Sequence, residues 1–93
     1  MKAVWKDKIL AKSDETIVVE NNHYFPLDSL NREFFEQSTT TSTCPWKGTA
    51  TYYHIRVGED INRDAAWTYE NPKEAAKEIT DHVAFWKGVE VVE

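Results

Sequence analysis

The stretch that decides the fold is Cys44-Pro45-Trp46-Lys47-Gly48, followed by Thr49-Ala50-Thr51-Tyr52-Tyr53-His54-Ile55-Arg56-Val57. A proline and a glycine frame a turn, and the longest run of β-favouring residues in the chain comes directly after it. Alternation places Ala50, Tyr52, His54 and Arg56 on one face of this predicted strand and the residues between them on the other. We expect the Ala50 and Tyr52 face to look inward, because a small alanine beside the Gly48 turn leaves room for a ligand.

Antiparallel strands are predicted on both sides of this stretch. Upstream, the six consecutive hydroxyl residues 38–43 predict an edge strand that shows hydroxyls to water, with a hydroxyl ladder facing a polar ligand as the alternative. Downstream, residues 64–69 predict the next strand after a turn at 58–62. Asn71-Pro72-Lys73-Glu74 is typical of a helix start and predicts a helix over 73–81. Residues 82–86 and 89–92 then predict a closing hairpin across Lys87-Gly88.

The first part of the chain predicts a meander of four short strands. Residues 3–5 and 9–11 form one predicted hairpin, and residues 16–20 and 23–25 form another across Asn21-Asn22, since asparagine tolerates positive φ. Pro26 ends this pattern, and Leu27, Leu30 and Phe34 recur at the spacing of one or two helical turns. The chain is therefore predicted to be mainly β, in the α+β sense, with one or two short helices.

Length and charge restrict the organisation and the partners of the protein. Its 93 residues predict a single domain, residues 1–93. Eleven Lys and Arg against 16 Asp and Glu give a formal charge of −5, which argues against nucleic acid and anionic membrane surfaces because both need a basic footprint. We find neither a signal peptide nor an apolar run of the about 18–20 residues that a membrane span needs. A single cysteine excludes an internal disulfide and favours a reducing cytoplasm.

Cys44 is the candidate catalytic residue. A thiolate is favoured by a nearby cation, and Lys47 is close in sequence. His23, His54 or His82 could act as the base if the fold brings one of them near. The alternative interpretation is an inert cysteine at a turn.

Aromatic and cationic residues around the same turn predict a ligand-binding pocket. Trp46, Tyr52, Trp67 and Tyr69 would wall it, Lys47 or Arg32 would meet an anionic group, and Tyr24 or Thr43 would supply hydrogen bonds. The alternative is that most of these aromatics are core residues and that Lys47 is a solvated turn residue. The histidine spacing fits no metal motif, and the isolated glycines form no phosphate loop, so neither a metal nor a cofactor is predicted.

Four motifs in this order resemble a known family. They are Asn22-His23-Tyr24-Phe25-Pro26, the run from Cys44 to Tyr53, the run from Ala65 to Pro72, and Val83-Ala84-Phe85-Trp86. Together they resemble the family catalogued as domain of unknown function 427, over nearly the whole chain. The resemblance implies a small antiparallel β-tent fold of two sheets meeting at an angle, in a bacterial single-domain protein. It also implies pocket or pocket-support roles for Tyr24, Pro26, Cys44, Lys47, Gly48, Tyr52, Trp67 and Tyr69.

The resemblance implies no substrate. The family sometimes carries a nucleotidyltransferase-like label, but the sequence lacks the Gly-Ser turn and the nearby metal-binding carboxylates which that chemistry needs. Some β-tent relatives bind zinc through two cysteine pairs, and a chain whose only cysteine is Cys44 lacks that site. Three functions stay open at this point: a small-molecule-binding module with its pocket at the Cys44–Gly48 turn, a thiol-dependent or nucleotidyltransferase-like enzyme, and a homodimeric protein-interaction module.

Overall fold

A computed structural model describes residues 1–93 as nine strands in two antiparallel sheets. The smaller sheet has the order β2-β1-β9, with β1 at Lys2–Trp5, β2 at Lys8–Lys12 and β9 at Glu90–Val92. The larger sheet has the order β3-β4-β8-β7-β6-β5. Its strands are β3 (Ile17–Val19), β4 (Asn22–Pro26), β5 (Phe35–Cys44), β6 (Gly48–Val57), β7 (Asp60–Thr68) and β8 (His82–Phe85). Three short 3₁₀ helices complete the chain: η1 (Leu27–Ser29), η2 (Arg32–Phe34) and η3 (Glu74–Ile79). The predicted mainly β class is confirmed.

Two tight hairpins in the first part of the chain are confirmed, but the predicted four-strand meander is wrong. Lys6 and Asp7 have φ of 52° and 62° and join β1 to β2, whereas Glu20 and Asn21 have φ of 52° and 66° and join β3 to β4. Positive φ at both central residues matches the twist of paired strands. The second turn lies one residue earlier than predicted. The two hairpins belong to different sheets, because the chain leaves the smaller sheet after Lys12.

The predicted closing hairpin is also wrong. β8 pairs with β4 and β7 in the larger sheet, whereas β9 pairs with β1 in the smaller one. Between them, Lys87 and Gly88 have positive φ, and the Trp86 N–H donates to the Ala65 carbonyl at 3.0 Å. The chain therefore turns away from the larger sheet at this point and crosses to the other one.

The predicted helix after Asn71 is a 3₁₀ helix, and Asn71 does not cap it. η3 begins after Lys73, which makes no side-chain cap, and the backbone leaves helical geometry at Ala76. The Lys73 N–H donates to the Lys47 carbonyl at 2.9 Å, so this segment is held by the β5–β6 turn. Its buried residues, Ala76 and Ile79, contribute to a core rather than to an independent helix.

The larger sheet has a hydrophobic core on each face. One core joins Ile55, Ala66, Val83 and Phe85 to Ala3 and Leu10 of the smaller sheet. The other joins Ala50 and Ala84 to Tyr24 and Tyr69 and is covered by Ala76 and Ile79 of η3. Both Ala50 and Ile55 of β6 are buried. The face that carries Ala50 therefore points into a core as expected, but the opposite face of β6 points into the other core. The edge strand predicted over 38–43 is confirmed as part of β5.

None of the helices has the length and the hydropathy that a membrane span requires.

Candidate functional site

The turn from β5 to β6 is fixed on both sides. Cys44 pairs with Gly48 across it, and Gly48 has a φ of +112°, which side chains rarely adopt. A Cβ at Gly48 would lie 3.4 Å from the Asn71 carbonyl oxygen. On the other side, the Lys73 ammonium donates to the Pro45 carbonyl at 2.7 Å. The backbone that carries Trp46 and Lys47 is therefore held against residues 71–73.

Lys47 is the one charged side chain in the chain that is buried, at 7% exposure. Its Nζ lies 5.3 Å from the ring centroid of Tyr69 and 5.5 Å from that of Trp46. The ammonium donates to the Glu20 carboxylate, whose side chain is 52% exposed. We call these four residues, Glu20, Trp46, Lys47 and Tyr69, the Lys47 site. Glu20 lies in the β3–β4 turn, so the site joins the turns at opposite edges of the larger sheet.

The electrostatics of the Lys47 site keep the ammonium charged. Burial by itself lowers the pKa of Lys47, but the hydrogen bond to Glu20 and the neighbouring phenols of Tyr24 and Tyr69 outweigh it, so the pKa is raised. The hydrogen bond from Lys47 lowers the pKa of the Glu20 carboxyl. Burial raises the pKa of the Tyr69 phenol, and the ammonium offsets this only in part. At neutral pH the site therefore contains a buried cation, which suits anion binding and not proton abstraction.

A row of aromatic side chains extends from the Lys47 site across the same face of the sheet. Tyr24 and Trp67 meet edge to face at 6.2 Å, and the Trp67 indole N–H donates to the Tyr24 hydroxyl at 3.2 Å. Tyr24 and Trp67 can meet because the small Ala84 lies between them on β8, opposite Trp67. Tyr52 lies opposite Trp67 on β6. We call Tyr24, Trp67 and Tyr52 the aromatic row.

Trp86 extends the aromatic row towards solvent and was not predicted as a site residue. Its ring is 5.6 Å from that of Trp67 and 6.4 Å from that of Tyr52. It is 45% exposed, which is unusual for a tryptophan packed against two other rings. The sequence contained a signal for it, since Trp86 closes the fourth family motif.

The structure brings seven of the eight predicted site residues to one face of the sheet. Tyr24 and Tyr69 are buried in the core on that face, and Cys44, Tyr52 and Trp67 pack against it. Trp46 and Lys47 join them through the Lys47 site. The eighth, Arg32, is exposed in η2 and forms no ion pair. Thr43, named as a hydrogen-bond donor, is exposed near the end of β5.

Cys44 has no base beside it. It is half-buried at the end of β5, and its thiol forms no hydrogen bond. In each of the three histidines, Nδ1 contacts another group. His23 Nδ1 contacts the Thr16 hydroxyl, and His54 Nδ1 accepts from the Asp64 backbone N–H. His82 Nδ1 contacts the Thr80 carbonyl. The thiol therefore lacks the hydrogen-bonded partner that activates a catalytic cysteine.

The serine and threonine hydroxyls of β5 face protein groups as well as water. Ser38 and Thr40 donate to the Asp64 carboxylate at 2.5 and 2.9 Å. Both hydrogen bonds lower the pKa of Asp64, and that from Ser38 has the larger effect. The Ser42 and Tyr52 hydroxyls lie 2.8 Å apart. These hydroxyls consequently tie β5 to β7 and to the aromatic row.

One cleft reaches the predicted turn, at Gly48. A cleft of about 510 Å³ is lined by Gly48, Thr49, Thr51, Glu70, Asn71 and Lys73. An adjoining cleft of about 320 Å³ shares Glu70 and Asn71 with it. None of the eight predicted residues lines any of the four cavities. The aromatic row and the Lys47 site are therefore packed closed, with Glu20 over the ammonium.

The sequence was compared with the profiles of known families. The whole chain, residues 1–93, matches the profile described as a domain of unknown function, DUF427. The chain belongs to the DUF427 family. No curated protein matches it. In this DUF427 protein, the residues of the second motif build the turn of the Lys47 site, and the residues of the third and fourth motifs supply Trp67, Tyr69 and Trp86.

Glu20 is the residue of the Lys47 site that sequence reasoning missed. It precedes an asparagine at a turn, a position that is typical of a solvated charge. Its partner Lys47 is 27 residues away and at the other edge of the sheet. Only the curvature that brings the two edges together makes them partners, and no local pattern encodes that curvature.

Proposed function

We propose that this DUF427 protein binds a small molecule whose anionic group contacts Lys47 and whose apolar part lies against Trp46. One observation carries the proposal: the only buried charged side chain belongs to a lysine held over two aromatic rings. A buried charge usually costs stability compared with an apolar residue of similar volume. Perturbed ionisable groups of this kind are concentrated at functional sites.

The chemistry of the site favours binding. The ammonium stays charged, so it serves as an electrostatic partner and not as a nucleophile. Trp46 is 39% exposed beside it and offers a flat face on which a ring or an alkyl group can stack. We therefore place the ligand site at the Cys44–Gly48 turn, with Lys47 as the residue that binds the anionic group.

Self-association is a second candidate function, favoured by Trp86. This exposed ring, with Tyr52 and Trp67 beside it, lies near β5, the long strand at the sheet edge. Aromatic side chains are enriched at interfaces, and edge strands pair readily with other chains. Light scattering distinguishes the two: a dimer that Trp86→Ala converts to a monomer supports self-association, and a monomeric wild type rejects it.

Native mass spectrometry tests the binding function. We expect the gently purified protein to carry, or to take up from a metabolite extract, a small anionic compound that the Lys47→Met variant does not retain. Lys77→Met is the matched control, because Lys77 is exposed on η3. Equal retention by wild type and Lys47→Met would overturn the proposed site, and the absence of any bound compound in both would overturn the function.

A further inference from the structure

We propose that Glu20 is a displaceable internal occupant of the anion position on Lys47, and that the ligand which replaces it is a small monocarboxylate. This inference rests on the proposed function and goes beyond it, because it names the ligand class and the contact that controls entry. It depends on the unequal way in which the two partners of this ion pair are held.

Lys47 is held without help from Glu20. Its backbone carbonyl accepts from the Lys73 N–H, and the preceding turn accepts from the Lys73 ammonium. The rings of Tyr69 and Trp46 flank its Nζ at 5.3 and 5.5 Å. The lysine side chain is 8% exposed, so these contacts remain when the carboxylate moves away.

Glu20, in contrast, is held weakly. Its side chain is 52% exposed, and it lies in a turn where it adopts a φ of 52°, which is unfavourable for glutamate. The strand before it, β3, has three residues and lies at the edge of the sheet. An exposed carboxylate on such a hairpin can leave the ammonium and be solvated fully, because nothing buries it on the outer side.

The shape and charge of the site select a monocarboxylate. Glu20 itself shows that a carboxylate oxygen fits against Lys47 Nζ. A dianion would find a single buried cation to balance its two charges, in a protein of formal charge −5. The nearby carboxylate of Glu20 would also repel it. A ligand with one carboxylate and a flat apolar group would replace Glu20 on Lys47 and stack on Trp46.

Glu36 provides a matched control. It is paired with Arg56, and its side chain is 43% exposed. Both carboxylates are therefore half-exposed surface partners of a cation. Neutralising Glu36 changes the net charge as much as neutralising Glu20, but it leaves the Lys47 site intact.

The experiment is an NMR titration with sodium benzoate, followed on the indole N–H signals. We expect Glu20→Gln to bind benzoate at least tenfold more tightly than the wild type, with the Trp46 signal shifting. Glu20→Asp, which keeps the charge but shortens the side chain, is expected to tighten binding in the same direction. Glu36→Gln should match the wild type, the double variant Glu20→Gln/Lys47→Met should lose the Trp46 shift, and inorganic phosphate should bind Glu20→Gln more weakly than benzoate.

The outcomes separate this inference from the function on which it rests. Benzoate binding of equal strength in wild type and Glu20→Gln, lost with Lys47→Met, would overturn the role of Glu20 and leave the anion site in place. Tighter binding of phosphate than of benzoate by Glu20→Gln would overturn the ligand class. If no anion shifts Trp46 in any variant, both the inference and the proposed site are overturned.

Discussion

Replacing Lys47 with methionine tests whether the buried ammonium serves stability or binding. The substitution removes two contacts of Nζ with aromatic rings, about 0.5–2 kcal/mol each, and one ion pair with an exposed carboxylate, about 0–1 kcal/mol. It also removes the desolvation cost of a buried charge, which is several kcal/mol. Methionine keeps most of the volume and contacts rings favourably through its sulfur.

These opposing contributions nearly cancel. We therefore expect the free energy of unfolding of Lys47→Met to lie within about 1 kcal/mol of the wild-type value, a Tm change of no more than about 4–8 °C for a domain of this size. Glu20 is not left buried without a partner, because its side chain is half exposed. A loss in the range of about 3–5 kcal/mol is typical of a broken buried pair and is not expected here.

Urea unfolding followed by tryptophan fluorescence measures the effect. The slope of the free energy against urea should be unchanged, which shows that the same surface is exposed on unfolding. Lys77→Met is the control for loss of a surface charge. A destabilisation of Lys47→Met by more than about 3 kcal/mol would refute the reasoning, because Lys47 would then be a structural residue.

Three further predictions concern the surroundings of the site. Gly48→Ala should lower the free energy of unfolding by about 2–3 kcal/mol, whereas Gly58→Ala should cost about 1 kcal/mol. The φ of +61° at Gly58 lies in the left-handed region that other residues can adopt, whereas the φ of +112° at Gly48 lies outside it; equal losses in urea unfolding would contradict this. Asp64→Asn should destabilise the protein by about 1 kcal/mol at pH 7. Since the pKa of Asp64 is lowered by folding, its contribution is present above the unfolded pKa of about 4 and is lost as the pH falls through the folded value; a deficit that persists unchanged at pH 2 would reject it. Cys44→Ser should leave ligand retention in native mass spectrometry unchanged, and a loss of retention would return the thiol to the site.

The sequence predicted the strands around the β5–β6 turn well, because their signals are local. The alternation over 49–57, the turn at Gly48 and the hydroxyl-rich edge strand all depend on neighbours in the chain. The residues of the Lys47 site, apart from Glu20, were also predicted, since Trp46, Lys47 and Tyr69 stand in the family motifs.

The pairing of the last strands could not be predicted from local patterns. Residues 89–92 favour a strand, but nothing in them distinguishes β8 from β1 as the partner. The structure pairs β9 with β1, where Val91 lies opposite Ala3, and so closes the smaller sheet with strands from both ends of the chain. The predicted hairpin failed because the tight turn at Lys87-Gly88 fits a crossing between sheets as well as a hairpin.

The prediction of a regular helix after Asn71 was wrong because of tertiary contacts. Asn71, Pro72 and Glu74 form a good helix start in isolation. In the folded protein, the backbone of residues 71–73 packs against Gly48, and Lys73 donates to the Lys47 carbonyl. The contacts that fix the Lys47 site thus replace the cap of a regular helix, and 3₁₀ geometry results.

The most direct test of the Lys47 site is a thermal-shift screen of small carboxylates against the wild type, Lys47→Met and Trp86→Ala. A ligand at 100 times its Kd stabilises the protein by about 2.7 kcal/mol, which corresponds to a Tm increase of at least about 10 °C here. We predict that a compound of this class stabilises the wild type and Trp86→Ala and leaves the Tm of Lys47→Met unchanged. Equal stabilisation of Lys47→Met, or no stabilisation of the wild type by any member of the panel, would contradict the assignment of Lys47 as the anchor of the site.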